Sequence, residues 1–265
     1  MYQREKEFLL KRFRLTGFKG AMLAGGALTS VFTNRPIKDF DVYFKTKQDF
    51  LDAVAAAYED GMWCVSLTDR CITFALDKDI YQYMYFRFFP TAEDIFASFD
   101  FTCCMAAIDL ESNEFTFHPS FFSDTSKREL VFNHGTAFPL ASGLRVAKYQ
   151  EKGFTIPKLQ LLKLMTAVNF KTISSWEEFQ AQIGGTYGEC VALAKDKEFS
   201  LANAIEALDS AAFTLKTEKA VPPNYDSFAG VYDAEVLVPD PGMPLSSSEA
   251  IDRLFPNDVE RQRAA

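Results

Sequence analysis

Residues 23–44 read LAGGALTSVFTNRPIKDFDVYF, and this stretch decides the fold of the 265-residue chain. It joins a double glycine, Gly25-Gly26, to two aspartates at alternate positions, Asp39 and Asp41, with apolar residues on both sides. Because side chains two apart on a strand point to the same face, a strand here presents both carboxylates together. A glycine turn followed by paired carboxylates is typical of a metal-dependent phosphoryl-transfer site.

The paired aspartates point to a cation. Carboxylates this close repel each other unless a cation joins them, and Mg²⁺ prefers a few carboxylates together with water and substrate phosphates. Two such ions can activate an attacking hydroxyl and stabilise a leaving pyrophosphate. An isolated Asp-x-Asp is more often an ordinary strand with acids facing solvent. The glycine turn at this spacing is what favours a site for two Mg²⁺ ions on Asp39 and Asp41.

The double glycine removes side chains where the backbone turns from a strand over 20–24 into a helix over 27–33. Backbone N–H groups and a helix N-terminus are then available to a phosphate, and nearby hydroxyls can add to them. For glycines taken alone, a plain tight turn is the simpler interpretation. The predicted nucleotide-binding residues of this turn are Gly25, Gly26, Thr29 and Ser30.

The composition limits the class of protein. The hydrophobic fraction of 48% is enough to form a sizeable core. The formal net charge of −8 argues against general affinity for nucleic acid, although it is compatible with a local basic groove. Five cysteines at spacings that fit no zinc module favour a reduced setting. The charged N-terminus is unlike a signal peptide and no run reaches the length of a membrane span, so we expect a soluble, cytoplasmic protein.

Apolar periodicity predicts an α+β fold with a mixed sheet, flanking helices, a helical region and an extended tail. The predicted divisions are 1–140, 141–220 and 221–265, the last carrying eight Asp or Glu against three Arg. The predicted strands are 20–24, 38–44, 62–67, 71–76, 80–89, 99–109 and 114–118. The predicted helices are 2–15, 27–33, 47–60, 141–152, 158–171, 175–183, 187–197 and 200–213.

These motifs resemble the catalytic head of the nucleotidyltransferase superfamily, with its DNA polymerase β-like fold. The closest resemblance is to bacterial poly(A) polymerases and CCA-adding enzymes, whose pattern runs from a Gly-Gly turn through Arg-x-Pro to Asp-x-Asp. The resemblance covers residues 20–157, and its three blocks occur in the family's order. The residues that carry the resemblance are Gly25-Gly26, Arg35-Pro36, Asp39-Phe40-Asp41, Asp100-Phe101-Thr102, Arg145 to Lys148 and Gly153-Phe154.

The resemblance implies transfer of a nucleoside monophosphate from an NTP to an acceptor hydroxyl. It implies metal binding by Asp39 and Asp41, with Asp100 as a third acidic ligand and Asp109 as the alternative. It also implies that Arg145 and Lys148 face the triphosphate. The resemblance to RNA-tailing enzymes favours an RNA 3′ end as the acceptor, whereas the acidic net charge fits a protein side chain or a small molecule better.

The chain departs from the family pattern at several positions. Thr29-Ser30 stands where the family carries Arg-Asp, and Ser98-Phe99 replaces two arginines before Asp100. The base-reading motif of CCA-adding enzymes is not evident after residue 157. These losses leave a second interpretation, in which the protein keeps the fold without efficient catalysis and docks a partner through residues 221–265.

A stripe of basic residues partly offsets the net negative charge of the chain. Spacings of three and four place Arg145, Lys148 and Lys152 on one face of the predicted helix over 141–152. Such a stripe is either a phosphate-binding surface or a helix face in water.

Overall fold

A computed structural model describes residues 2–12, 18–67, 70–76, 79–187 and 193–209. The described residues form two compact units, one within 2–91 and 107–116 and the other within 92–106 and 117–209. The predicted domain divisions at residues 140 and 220 stay a prediction. The predicted tail over 221–265 lies outside the described residues.

The first unit holds a seven-stranded mixed sheet, which confirms the predicted α+β class. The strands are β1 (Ala21–Ala24), β2 (Phe40–Phe44), β3 (Trp63–Leu67), β4 (Cys71–Leu76), β5 (Asp79–Met84), β6 (Ala106–Asp109) and β7 (Phe115–Phe117). Their order across the sheet is β3-β4-β5-β2-β1-β6-β7. β2 pairs parallel with β5 and antiparallel with β1, so it lies at the centre of the sheet.

Nine helices in the described residues flank or follow the sheet. Those of the first unit are α1 (Gln3–Arg12), α2 (Gly26–Phe32) and α3 (Lys47–Glu59). Those of the second unit are α4 (Ala92–Ser98), α5 (Phe121–Lys127), α6 (Pro139–Glu151), α7 (Lys158–Asn169), α8 (Trp176–Gly184) and α9 (Leu201–Asp209). Short 3₁₀ turns occupy Thr102–Cys104 and Gly185–Tyr187.

Aromatic packing holds β2 in the core. Its five residues are all buried, and alternation places Phe40, Val42 and Phe44 on the face opposite Asp41. The Phe44 ring packs edge-on against Phe50 of α3, with centroids 5.3 Å apart. Such ring pairs add about 0.5–1.5 kcal/mol beyond the burial of their area. β2 is therefore a strand that is covered on both faces.

The predicted elements differ from the observed ones in four places. The strand predicted over 80–89 ends at Met84, because Phe89 donates its backbone N–H to Phe44 outside the ladder. The strand predicted over 99–109 is interrupted by the 3₁₀ turn before Ala106. The helix predicted over 187–197 is wrong for its described part, since 193–197 are not helical. Two short helices, α4 and α5, were not predicted at all.

An ion pair fastens the end of β6 to the loop after β2. Lys45 Nζ lies 2.7 Å from Asp109 Oδ2, and the other carboxylate oxygen accepts the backbone N–H groups of Glu111 and Ser112 at 2.9 Å each. Burial opposes ionisation of Asp109, but the hydrogen bonds from Lys45 and the backbone outweigh it and lower the pKa of this carboxyl. Asp109 thus serves the turn between β6 and β7.

The second unit is built around the stretch Asp100-Phe101-Thr102. Phe101 is fully buried in a cluster with Phe132 and Tyr149, whose rings lie 6.3 and 5.7 Å from it. The Thr102 hydroxyl donates to Asp124 Oδ2 of α5 at 2.5 Å. Both oxygens of that contact belong to buried residues. This stretch therefore joins α5 and α6 to one core.

We predict that Asp109→Asn lowers the free energy of unfolding at pH 7 by about 1 kcal/mol. Because the folded pKa of Asp109 is depressed, its stabilisation is present above the unfolded pKa of about 3.9 and is lost as pH falls through the folded pKa. Urea unfolding at pH 7 and pH 2.5 measures this difference. The exposed Glu59→Gln is the control, and an equal loss at both pH values for Asp109→Asn would contradict the assignment.

We also predict that Thr102→Val lowers the free energy of unfolding by about 1–3 kcal/mol, because it leaves the buried carboxylate of Asp124 without that donor. Thr166→Val, at an exposed position of α7, should change stability by less than about 0.5 kcal/mol. Urea unfolding of both variants tests the pair. Equal effects would show that the Thr102–Asp124 hydrogen bond contributes nothing specific.

Candidate functional site

The sheet register brings Asp41 beside the glycine turn. Asp41 lies directly opposite Ala24, the last residue of β1, and opposite Gln82 of β5 on its other side. Its side chain is 4% exposed. Asp39 lies one residue before β2 begins and is half-buried. Both predicted carboxylates are therefore at the end of β2 that meets the turn after β1.

The turn itself requires glycine at its first position. Gly25 has φ 87° and ψ −138°, a backbone conformation that side chains rarely allow. Its carbonyl accepts the backbone N–H groups of Leu28 at 3.1 Å and Thr29 at 3.3 Å, which start α2. A Cβ placed on Gly26 would meet no atom within 4 Å. The turn thus requires glycine at position 25 and is open at Gly26.

The two hydroxyls predicted to bind phosphate are embedded in α2. Thr29 Oγ1 donates to the Gly25 carbonyl at 3.3 Å, and Thr29 and Ser30 are 5% and 8% exposed. α2 has seven residues, so its dipole is weaker than that of a long helix. Backbone N–H groups of the turn are therefore better placed to meet a phosphate than the Thr29 hydroxyl.

A buried polar row extends from Asp41 across the sheet, and the sequence analysis missed it. Asp41 is opposite Gln82, and Gln82 is opposite Thr73 of β4, so the three share one face. Gln82 and Thr73 are 5% and 2% exposed. On the other side of Asp41, the residues in register with it are the small, buried Ala24 and Ala107. The sequence signal that could have revealed this row was a polar residue in the middle of each strand, Thr73 in β4 and Gln82 in β5.

The second unit holds the other predicted charged residues. Asp100 is 4% exposed, and its Oδ2 lies 3.3 Å from Arg145 Nε on α6. The Asp100 carbonyl also accepts the Asn133 N–H at 2.7 Å, which fixes its backbone. Arg145 is 32% exposed and Lys148, one turn later, is exposed. Asp100 is thus the ion-pair partner of a residue predicted to contact the triphosphate.

Two cationic side chains lie near the buried ring of Tyr149 on α6. Arg145 Cζ lies 6.0 Å and Lys152 Nζ 5.5 Å from the centre of the Tyr149 ring. These distances are within the range of cation–π attraction. The Tyr149 hydroxyl contacts the thiol of Cys104. Two residues of the predicted basic stripe therefore gather around one tyrosine.

The adjacent thiols of this unit, Cys103 and Cys104, are buried. The hydrogen bond from Cys103 lowers the pKa of Cys104, while that same interaction and burial raise the pKa of Cys103. Neither of these thiols is in a disulfide. Their place in the cluster with Phe101 makes them packing residues.

Neither a three-residue metal cluster nor a membrane helix is seen in the described parts of the chain. Among these residues no three His, Cys, Asp or Glu side chains are grouped to hold a metal ion. None of the described helices combines the length and apolarity needed to cross a membrane.

Comparison with known proteins gives two kinds of similarity. A family model described as "Gabija anti-defense 2 family protein" matches residues 2–128. A curated protein named "Gabija anti-defense 2", from Bacillus phage SPbetaL7, is 36% identical over 192 residues, which cover 71% of this chain and 48% of that protein. The chain thus spans about half the length of the curated relative it matches.

Solved structures of CCA-adding enzymes show the same fold. An apo form aligns with a TM-score of 0.50 and a complex with ATP with a TM-score of 0.51, both at 16% identity. The alignments cover 63% of this chain and 45% and 46% of those chains. The predicted resemblance is confirmed at the level of architecture, and the chain has a fold of the nucleotidyltransferase type.

Proposed function

We propose that this protein is a Mg²⁺-dependent nucleotidyltransferase that moves a nucleoside monophosphate from an NTP to an acceptor hydroxyl. The observation that supports this most strongly is the register of β1 against β2. It places the buried Asp41 opposite Ala24, immediately before Gly25. The nucleotidyltransferase-type fold is compatible with the same function. A fold alone is compatible with many chemistries, so the residues of the site carry the proposal.

The donor set fits Mg²⁺. Asp39 and Asp41 offer oxygen ligands alone, which is the chemistry that Mg²⁺ prefers. Two carboxylates leave coordination positions for phosphate oxygens and water, as expected for a metal that binds together with its nucleotide. When bound there, Mg²⁺ would neutralise charge on the phosphates and lower the pKa of an attacking hydroxyl.

The protein's own residues then bind and orient the nucleotide. Backbone N–H groups at Gly25-Gly26 donate to the phosphates, and the open space at Gly26 admits a close approach. The acceptor oxygen forms a bond to the α-phosphorus, the bond from that phosphorus to the bridging oxygen breaks, and pyrophosphate leaves. The acceptor proton passes to solvent or to a carboxylate of the site.

The biological role that we propose follows the name of the curated relative. That protein is named Gabija anti-defense 2, and we propose that this chain likewise counteracts Gabija defense. The acceptor would then be a molecule whose modification blocks the defense: an RNA 3′ end, a protein side chain or a small molecule. The acidic net charge of −8 favours the latter two.

A second candidate function is binding without efficient catalysis. The neutral Ser98-Phe99 at the positions where the resemblance implies two arginines favours it, because the sequence there lacks the positive charge that binds phosphates. In that case the protein would counteract its target by docking, with residues 221–265 as the predicted contact segment.

We predict that nucleotide binding depends on the aspartate pair. Calorimetry with each NTP should show binding that requires Mg²⁺, and Asp39→Asn/Asp41→Asn should weaken it by at least about tenfold. Asp52→Asn, on the exposed face of α3, is the matched control and should bind as wild type does. Metal-independent binding unchanged in the double variant would refute the site.

We predict that catalysis is required for the anti-defense role. Cells that carry Gabija defense and express the wild-type protein should become permissive for phage, measured as plating efficiency. Asp39→Asn/Asp41→Asn should abolish this effect at an equal level of folded protein. Full protection of phage by the double variant would instead support the binding function.

We predict that alanine changes the stability of the protein at one of the two glycines and not at the other. Gly25→Ala should destabilise the protein by about 1–3 kcal/mol, because its backbone is strained for any side chain. Gly26→Ala should leave the melting temperature near that of wild type, since its Cβ meets open space. If a phosphate approaches Gly26, however, this second variant should lose affinity for NTP. Thermal melts with and without nucleotide separate the two effects.

A further inference from the structure

Helix α7 leaves large apolar side chains exposed. Leu164 is its one fully buried residue, and it packs into the cluster around Phe101. On a different side of the helix, the side chains of Leu161, Leu162 and Met165 are 41%, 58% and 60% exposed. Spacings of three and four residues place these three side by side, and we call them the α7 face. Adjacent exposed apolar groups of this kind mark an interaction surface.

The α7 face is bordered by positive charge. Residues 158–171 contain three lysines and no Asp or Glu, and all three lysines are exposed. Lys158 precedes Leu161 and Leu162 by three and four positions, and Lys163 follows Leu162 directly. Two copies of this face packed together would bring lysines close to lysines, which opposes association. The chemistry of the face therefore fits an occupant that is both apolar and acidic.

One segment of this chain has that composition. Residues 221–245, which we call the acidic segment, contain four Asp or Glu and no Lys or Arg. Residues 246–265 differ, because their four acids are nearly balanced by three arginines. Within the acidic segment the stretch 231–238 reads VYDAEVLV, so that six apolar residues surround Asp233 and Glu235. The acidic segment thus offers apolar groups and negative charge together.

The acidic segment is connected closely enough to reach the α7 face of its own molecule. α9 ends at Asp209 and belongs to the same compact unit as α7. Residues 210–220 form a connection of eleven residues, which extends to about 40 Å at most. A compact unit of about 100 residues has a radius of gyration of about 13 Å, so the connection spans a body of that size. Such a connection also raises the local concentration of the segment at the face.

We propose that the acidic segment docks on the α7 face of the same molecule. Its apolar residues cover the three exposed side chains of that face, and its acids lie near Lys158 and Lys163. Removal of apolar surface from water drives the contact, and the opposite charges set its position. A partner protein that binds this segment must first displace it from α7. The proposal is independent of nucleotide chemistry, since it uses no residue of the aspartate site.

Photo-crosslinking in the full chain tests the contact. Leu162→p-benzoylphenylalanine is prepared unlabelled and labelled with ¹⁵N, and an equimolar mixture is irradiated, digested and measured by mass spectrometry. We expect crosslinks from position 162 to residues 221–245 that join peptides of one isotope. Crosslinks that join the two isotopes at random would assign the segment to a second copy and overturn the proposal. The absence of any crosslink to the segment would overturn it as well.

The control for crosslinking is Trp63→p-benzoylphenylalanine. Trp63 is an apolar residue of the first unit that is 44% exposed, close to the exposure of the α7 face. This variant should give no crosslink to the acidic segment. Crosslinks from position 63 as abundant as those from position 162 would show that the segment has no preferred surface, which contradicts docking on α7.

Proteolysis tests the charges. Chymotrypsin cleaves after aromatic residues, of which the acidic segment has Tyr225, Phe228 and Tyr232, and a docked segment is cleaved only when it opens. Lys158→Glu/Lys163→Glu places like charges opposite the segment and should speed this cleavage about threefold to tenfold at low salt. The variant should keep the melting temperature of wild type, because both lysines are exposed and an acid at position 158 is favourable at the start of α7.

Exchange of the charges completes the test. Asp233→Lys/Glu235→Lys, added to the lysine reversal, makes the charges opposite again and should return the cleavage rate to within about twofold of wild type. Lys127→Glu, at an exposed lysine of α5, is the matched control and should leave the rate unchanged. Cleavage that is equally fast in wild type and in the reversed variant would overturn the proposal. Failure of the exchange to restore protection would overturn it too.

Discussion

The central strand β2 is the constraint on which the rest of the first unit depends. It is bonded on both edges and covered on both faces, and it nevertheless carries the acidic Asp41 in its interior. The aromatic rings of Phe40 and Phe44 fix the strand, because displacing it would expose them. Successive side chains of a strand point to opposite faces, so a slip of the register by one position would put a core residue in the place of Asp41. The same packing that stabilises the sheet therefore sets the position of the carboxylate.

Local sequence signals were sufficient for this half of the fold. The glycine pair, the short helix and the alternating strand lie within 22 residues, and each element has its own signature in turn chemistry or periodicity. The helix of α3 was equally predictable, since Thr46 and Asp49 form a capping box before its apolar face. Turn and capping residues report on their immediate neighbours, so a single sequence suffices to read them.

Contacts between distant positions could not be predicted in this way. The partner of Asp100 is 45 positions away, and the partner of Thr102 lies on a helix that the sequence analysis did not predict. The polar row of Asp41, Gln82 and Thr73 requires knowledge of strand order, which a periodic pattern does not contain. The family resemblance singled out residues 100–102 and implied that Asp100 binds a metal ion, but it did not predict the contact between Asp100 and Arg145. Those roles are set by tertiary packing.

The backbone at Gly25 has an evolutionary consequence. A chain that replaces this glycine must rebuild the turn, and rebuilding it moves Ala24, which is the cross-strand neighbour of Asp41. Glycine at position 25 should therefore persist among descendants of this protein, because the turn needs it whether or not the acid is kept. A lineage that keeps Gly25 and abandons Asp41 has lost the site and kept the fold. Natural variation at these two positions can thus date the loss of chemistry within the lineage.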